Sequence, residues 1–221
     1  MYSHYPKIHC IGHPLLADLF TNEVLIEEKI DGSQINFWID KGKLRLRSKS
    51  VELFIETADR LFKPAINTLT SIKEQLIPGL FYRGETLAKT KHNTLAYARI
   101  PKGHIILFDI DDGNSNFLSY PDKVKEAARL GLETVPILGL PEGNLVTDVT
   151  QLVAELLLRE SLLGNTTIEG IVFKNYKKFG KDSKPLFGKY VSETFKESHA
   201  TNWKAANPGA KDIILNLTTI Y

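Results

Sequence analysis

Residues 27–39 read EEKIDGSQINFWI. From Gln34 onward, apolar Ile35, Phe37 and Ile39 alternate with Gln34 and Asn36, the period of a half-buried strand. A lysine, an aspartate and a glycine stand just before that run, where a second strand, residues 23–30, ends. Such a lysine is either a surface charge at a strand end or a chemical tool. The rest of the chain has to decide between the two.

Composition sets the bounds. The 221 residues suffice for one large domain with a sizeable core. Hydrophobic residues make up 43% and charged residues 24%, ordinary values for a globular protein. No run of eighteen apolar residues occurs, so no transmembrane helix is expected. The first residues, MYSHYPKIHCIGHPLL, lack the basic-then-apolar pattern of a signal peptide. The single cysteine, Cys10, excludes an internal disulfide and a zinc-cysteine cluster. The expected location is therefore the cytoplasm, with no membrane partner. The net charge of +2 says little, but its distribution says more. Residues 41–49 carry five basic side chains and no acid, and residues 174–189 carry six lysines against one aspartate. Two such runs on one chain suit a polyphosphate or polynucleotide surface.

Strands are expected at 23–30, 34–39, 43–48, 80–85, 104–110, 134–138, 168–174 and 186–191, with a hairpin turn at DKGK, residues 40–43. Helical spacing appears over 52–76, where Pro64 should end or kink the helix. It appears again over 120–130, after Ser119 and before Gly131, over 148–163, after Thr147, and over 192–206, before Pro208. There is no regular strand–helix–strand rhythm and no internal repeat. The fold class is α+β, expected as one domain over residues 1–221.

Charged residues recur inside apolar strand sequence: Glu85 in FYRGETL, Asp109 beside Phe108 in ILFDI, Glu169 and Lys174 in IEGIVFK, and Lys189 in LFGKYV. One is usually a paired structural charge; five spread over four strands suggest a shared polar cleft. In this order they resemble the covalent nucleotidyltransferase superfamily of ATP-dependent ligases and capping enzymes, and within it the type-2 RNA ligases. Lys29-Ile30-Asp31-Gly32 matches the nucleophile motif K-x-D-G. RGE, FDI and EGIVFK match the motifs that follow, and Arg47 lies where the family has an arginine after the nucleophile hairpin. The resemblance runs from about Tyr5 to Glu197.

It implies two packed, mainly antiparallel sheets with flanking helices, the nucleotidyltransferase (ATP-grasp-like ligase) domain, with the nucleotide between them. Lys29 is the implied nucleophile that takes AMP from ATP, and a desolvated lysine suits that task. Glu169 is the implied carboxylate at Mg²⁺ or Mn²⁺, since a divalent ion would outweigh the carboxylates around the lysine. Lys189 and Lys174 would neutralise the α-phosphate. Gly32 would allow close backbone approach, Phe108 would stack on adenine, and Glu85 would accept from the ribose hydroxyls. Gln34, or the backbone near Glu28 and Ile30, would read the base edge, and Arg47 would meet a phosphate. The implied partner is RNA with 5′-phosphate and 3′-hydroxyl ends, with DNA or a hybrid duplex as the alternative. A lapsed nucleotide-binding module is the rival from another class.

Two departures stand out. The family's last motif is K-x-K, but here it reads Lys189-Tyr190-Val191, leaving one phosphate contact missing or supplied by Lys174 or Lys196. Only some thirty residues follow Lys189, too few for the further C-terminal domain such ligases usually carry. Among weaker candidates, FDIDD (108–112) reads as a strand end and turn or a carboxylate cluster, and His92 as part of a polar loop or a general base. Lys196, His199 and Lys204 would share one side of the last helix. No Walker loop is present.

Overall fold

The computed structural model describes residues 4–21, 23–57, 59–139, 149–197 and 199. Two sheets dominate it. The first has the order β1 (His9–Cys10), β11 (Pro185–Val191), β10 (Gly170–Phe179), β2 (Leu25–Lys29) and β9 (Ile137–Gly139). The second has the order β5 (Glu52–Leu53), β4 (Lys43–Ser48), β3 (Ser33–Asp40), β6 (Phe81–Thr86), β7 (Ile105–Asp111) and β8 (Glu133–Thr134). Pairing is antiparallel except for β1 with β11 and β7 with β8. The three helices are α1 (Lys63–Ile72), α2 (Tyr120–Arg129) and α3 (Val149–Leu156). This is the expected α+β architecture.

Each sheet buries one face and leaves the other to the cleft. On the second sheet, Ile35, Phe37 and Tyr82 pack against Ala65, Ile66 and Leu69 of α1 and Ala127 of α2. On the first, Ile26, Ile171 and Phe173 pack against Val153 and Leu156 of α3. Each of the valine, leucine, isoleucine and phenylalanine side chains among them contributes about 1.5–3 kcal/mol on burial. Because strand side chains alternate, the same choice turns Glu27, Lys29, Val172 and Lys174 to the opposite face of the first sheet, and Gln34 and Asn36 to that of the second. The apolar pattern therefore aims the polar residues.

Three expected elements differ, and a fourth is described only in part. The strand foreseen at 134–138 is two strands in different sheets, β8 and β9. Between them lie Val135 and Pro136, and Pro136 has no N–H to donate to a ladder. Pro64 does not break a helix over 52–76; it lies in the first turn of α1, where a missing N–H costs nothing. Residues 52–53 are strand instead. The helix expected at 148–163 stops at Leu156, because Ser161 and Leu162 turn back to hydrogen-bond Glu28; its proposed cap, Thr147, lies outside the described residues. In the segment 192–206, residues 193–197 and 199 are helical, and 201–206, Lys204 included, lie outside the described residues. By contrast, α2 begins as expected: Ser119 Oγ accepts from Asp122 N at 3.3 Å.

Candidate active site

The register of the first sheet lays the cleft face out in rows. Lys29, Gly170 and Val191 form one row; Glu27, Val172 and Lys189 form the next; Leu25, Lys174 and Phe187 form a third. Gly170 is the gap that leaves room above the first row. A Cβ there would lie 2.2 Å from the Tyr190 carbonyl oxygen, so only glycine lets β11 close on β10. The cleft above these rows has a volume of about 880 Å³. Its walls include Lys29, Lys174 and Lys189 from the first sheet and Gln34, Glu85 and Phe108 from the second; Glu28, Ile30 and Gly32 also reach it. One side is covered by the N-terminal residues His4–Ile8.

At the end of β2, the Lys29 ammonium meets both carboxylate oxygens of Glu169, at 2.7 and 2.9 Å. Burial alone would depress the lysine's pKa, but Glu169 and then Glu85 and Asp31 more than offset it, and the pKa stands above the ordinary value. The carboxylates bear the other half of that balance. Burial pushes Glu169 up to about 7 and Glu85 up to about 8, each against the pull of Lys29. Gln34 and Glu85 face each other across β3 and β6. Glu28 accepts from Ser161 Oγ and from Leu162 N, at 2.5 and 3.0 Å, and burial raises its pKa.

The turn after the lysine is strapped from outside. Asp31 Oδ2 accepts from the Thr94 and Leu95 N–H groups, both at 2.8 Å, and its own N–H donates to the Tyr97 hydroxyl. Asn93 Nδ2 donates to the Gly32 carbonyl at 2.6 Å. Gly32 is required by proximity: a Cβ would meet Glu85 Cγ and the Thr86 carbonyl at 2.7 Å. His92 belongs to the same strap. Its Nδ1 accepts from Ala88 N at 3.0 Å, so its Nε2–H faces Ser33 Oγ at 2.9 Å. It is buried and away from the cleft wall, a poor place for a general base.

Other expected residues lie elsewhere. Asp31 and Arg47 are not on the cleft wall; Arg47 Nη2 donates to the Ser50 carbonyl at 2.8 Å, while its neighbours Ser48 and Lys49 do reach the cleft. Lys174 lines the cleft but is 1% exposed, with its ammonium 2.5 Å from Glu27 and 2.9 Å from Asp109. The FDIDD run divides among separate tasks. Asp109 pairs with Lys174, Asp111 pairs with Arg83 at 2.7 Å, and Asp112 accepts from Asn114 N and Asn116 N. Lys196 lies over the Tyr190 ring and pairs with Glu193; Tyr190 packs on the core side of β11, so Lys196 does not stand in for Val191. The polar members that sequence reasoning missed are Glu27, Lys123, Tyr5 and Tyr176. Glu27 had a signal, since it alternates with Lys29 on one strand face; Lys123 looked like any helix-surface lysine.

Among the described residues, no three histidine, cysteine or carboxylate side chains are grouped to hold a metal by themselves. The donor set is Glu169 with Glu85 close to the same lysine, all oxygen and too few for a protein cage. That suits a Mg²⁺-like ion that keeps most of its waters.

The two-sheet fold also has counterparts among known proteins. Naegleria gruberi RNA ligase with PPi superposes with a TM-score of 0.66 at 18% identity, over 91% of this chain and 61% of that one. A lysine-to-alanine mutant of the same ligase with ATP and Mn gives 0.66 at 19%, over 90% and 60%, and a glutamate-to-alanine mutant with AMP and Mn gives 0.66 at 20%, over 90% and 58%. The chain thus spans about three fifths of the length of those structures. No curated protein matches the sequence. The family model for RNA ligase covers residues 22–191, from just before β2 to the end of β11 with every strand that builds the cleft, and this chain belongs to the RNA ligase family.

Proposed function

We propose that the chain is the catalytic domain of an ATP-dependent RNA ligase. The observation that carries this reading is Lys29, held at the end of a strand by Glu169 with Glu85 close by, in a nucleotide-sized cleft. Lys29 Nζ attacks the α-phosphorus of ATP. A P–N bond forms, the α–β phosphoanhydride breaks, and pyrophosphate leaves. The 5′-phosphate of an RNA then takes the AMP from the lysine, and a 3′-hydroxyl displaces AMP as the phosphodiester forms. Lys189 lies one row from Lys29 on the cleft face, placed to meet phosphate oxygens. Phe108 on β7 offers a half-buried ring at the base end, and Glu85 and Gln34 offer ribose and base contacts. A divalent cation bound at Glu169 would supply positive charge that offsets the carboxylates and brings the Lys29 pKa down. RNA with 5′-phosphate and 3′-hydroxyl ends is the substrate, in the reducing environment of a cytoplasm. No helix among the described residues is long and apolar enough to cross a membrane.

The test is mass spectrometry of the purified protein after incubation with ATP and Mg²⁺, beside Lys29→Ala. The parent should gain the mass of one AMP and the variant none. Absence of an adduct in the folded parent, with Mn²⁺ also tried, would leave a nucleotide-binding module in its place. Sealing assays on nicked RNA and nicked DNA then separate the two polymers.

A further inference from the structure

Beneath the cleft lies a buried charge network that joins both sheets to α2. Glu27 is 1% exposed and holds one lysine on each oxygen: Lys123 of α2 on Oε1 and Lys174 of β10 on Oε2. Both ammonium groups also donate to the Phe108 carbonyl, Lys123 at 2.9 Å and Lys174 at 2.7 Å. Lys174 reaches Asp109 Oδ2 as well, at 2.9 Å. An ammonium has three N–H donors, and those of Lys174 are spent on Glu27, the Phe108 carbonyl and Asp109. It lines the cleft, yet it meets a nucleotide phosphate only by giving up one of these partners.

Each acceptor that Lys174 would leave has a second donor already in place. Asp109 also receives the hydroxyls of Tyr5 and Tyr176, the latter at 2.6 Å. Glu27 and the Phe108 carbonyl both keep Lys123. Without Lys123, departure of Lys174 would strand a buried carboxylate, which is strongly unfavourable. Lys123 itself is 1% exposed, lies on a helix outside both sheets and does not line the cleft.

Building on the nucleotide-transfer reading above, we propose that Lys123 is a positioning residue that releases Lys174: it keeps Glu27 and the Phe108 carbonyl satisfied while the Lys174 ammonium turns into the cleft to meet the phosphate of the bound nucleotide. Lys123 touches neither nucleotide nor reacting atoms. Its effect falls on the transfer step, when charge develops on the phosphate.

The experiment measures AMP-adduct formation against ATP concentration, with Mg²⁺, for the parent, Lys123→Met, Lys123→Arg and the double variant Lys123→Met/Glu27→Gln, with melting temperatures alongside. Lys123→Met should lower the rate constant at saturating ATP at least tenfold, with less than a threefold change in half-saturating ATP. Lys123→Arg, which keeps the charge and the donors, should recover to within threefold of the parent. The double variant should be faster than Lys123→Met, since the neutral amide that replaces the Glu27 carboxylate no longer pins Lys174; a merely structural role predicts it to be slower. This last comparison holds even where Lys123→Met folds poorly alone. A folded Lys123→Met with the parent's rate, or a double variant no faster than the single, overturns the proposal and leaves the nucleotide-transfer reading intact. A parent that forms no adduct removes that reading, and the proposal with it.

Discussion

Gly170→Ala is the smallest change that should disable the site without touching a charged group. Gly170 pairs with Lys29 on one side and Val191 on the other. The added methyl would fall 2.2 Å from the Tyr190 carbonyl oxygen and 3.0 Å from Val191 Cα, both backbone atoms that no rotamer change relieves. An ordinary carbon–oxygen contact is about 3.3 Å, so β11 has to retreat by about 1 Å. Overpacking costs about 1–3 kcal/mol, and one or two ladder hydrogen bonds lengthened by that distance add about 0.5–1.5 kcal/mol each. The total of about 1.5–6 kcal/mol lowers the melting temperature by about 3–24 °C for a chain of this size. The retreat also carries Lys189 off its row, and a misplacement of about 1 Å costs about 10²-fold in rate. Differential scanning calorimetry and the AMP-adduct rate read the two effects separately. A Gly170→Ala protein that melts within 1 °C of the parent and labels at the parent's rate would refute the close-approach argument.

Three more expectations concern the site. Asp31→Ala strands the Thr94 and Leu95 N–H groups, at about 1–3 kcal/mol each, and should lower the melting temperature by several degrees, while Asp31→Asn, which keeps an acceptor oxygen, should recover most of that loss; equal losses would show that the strap is not held by this oxygen. Glu85 has its pKa raised to about 8 by burial, so the folded state favours the protonated carboxyl. The stability this gives is fully present below the ordinary value of about 4.3 and is lost as pH rises through about 8. Without ATP or metal, Glu85→Gln should therefore melt higher than the parent at pH 8–9 and show a flatter profile from pH 5 upward; parallel melting curves would count against the burial argument. Val191→Lys places a cation across Gly170 from Lys29 and should lower the Lys29 pKa, raising the adduct rate near neutral pH; a rate that stays flat means the row geometry does not couple the two positions.

Most of the framework was legible because it rests on period-two patterning. Ile35, Phe37 and Ile39 announced β3, and the charged residues embedded in apolar runs all belong to strands or strand ends of one cleft. What escaped the sequence shares a different physical origin. Val135 and Pro136 look like the middle of one strand; nothing local says that the chain crosses from one sheet to the other there. Pro64 carries the same local meaning at the start of a helix as at its end, and only the packing of Ala65, Ile66 and Leu69 picks the start. Lys123 sits in a helix rich in charge, YPDKVKEAAR, and only the tertiary position of Glu27 makes it the buried one. Asp31 stands in a motif and His92 in a polar loop, but that both hold the turn after Lys29 depends on Thr94, Leu95, Ala88 and Ser33. Such partnerships are set by residues distant in sequence, so no window along the chain contains them.

The site's charge balance explains why its lysine is held in reserve. Lys29 faces Glu169, Glu85 and Asp31, and in the resting protein the outcome is an ammonium with a raised pKa clamped by a carboxylate. A lysine in that state is a poor nucleophile. It becomes reactive only when positive charge arrives to compete for the carboxylates. The same logic runs two rows deeper, where Lys174 is held by Glu27 and Asp109. Both ammonium groups are thus held as ion pairs with buried carboxylates, and on the proposed reading the arrival of ligand releases them. A nucleotide bringing its own phosphate charge and a hydrated divalent ion changes both balances at once. On the proposed reading the buried carboxylates are the timing elements of the reaction, and removing one that holds a buried lysine, as in Glu27→Gln, should lower the melting temperature while loosening the tie between the ligand's arrival and the lysine's release.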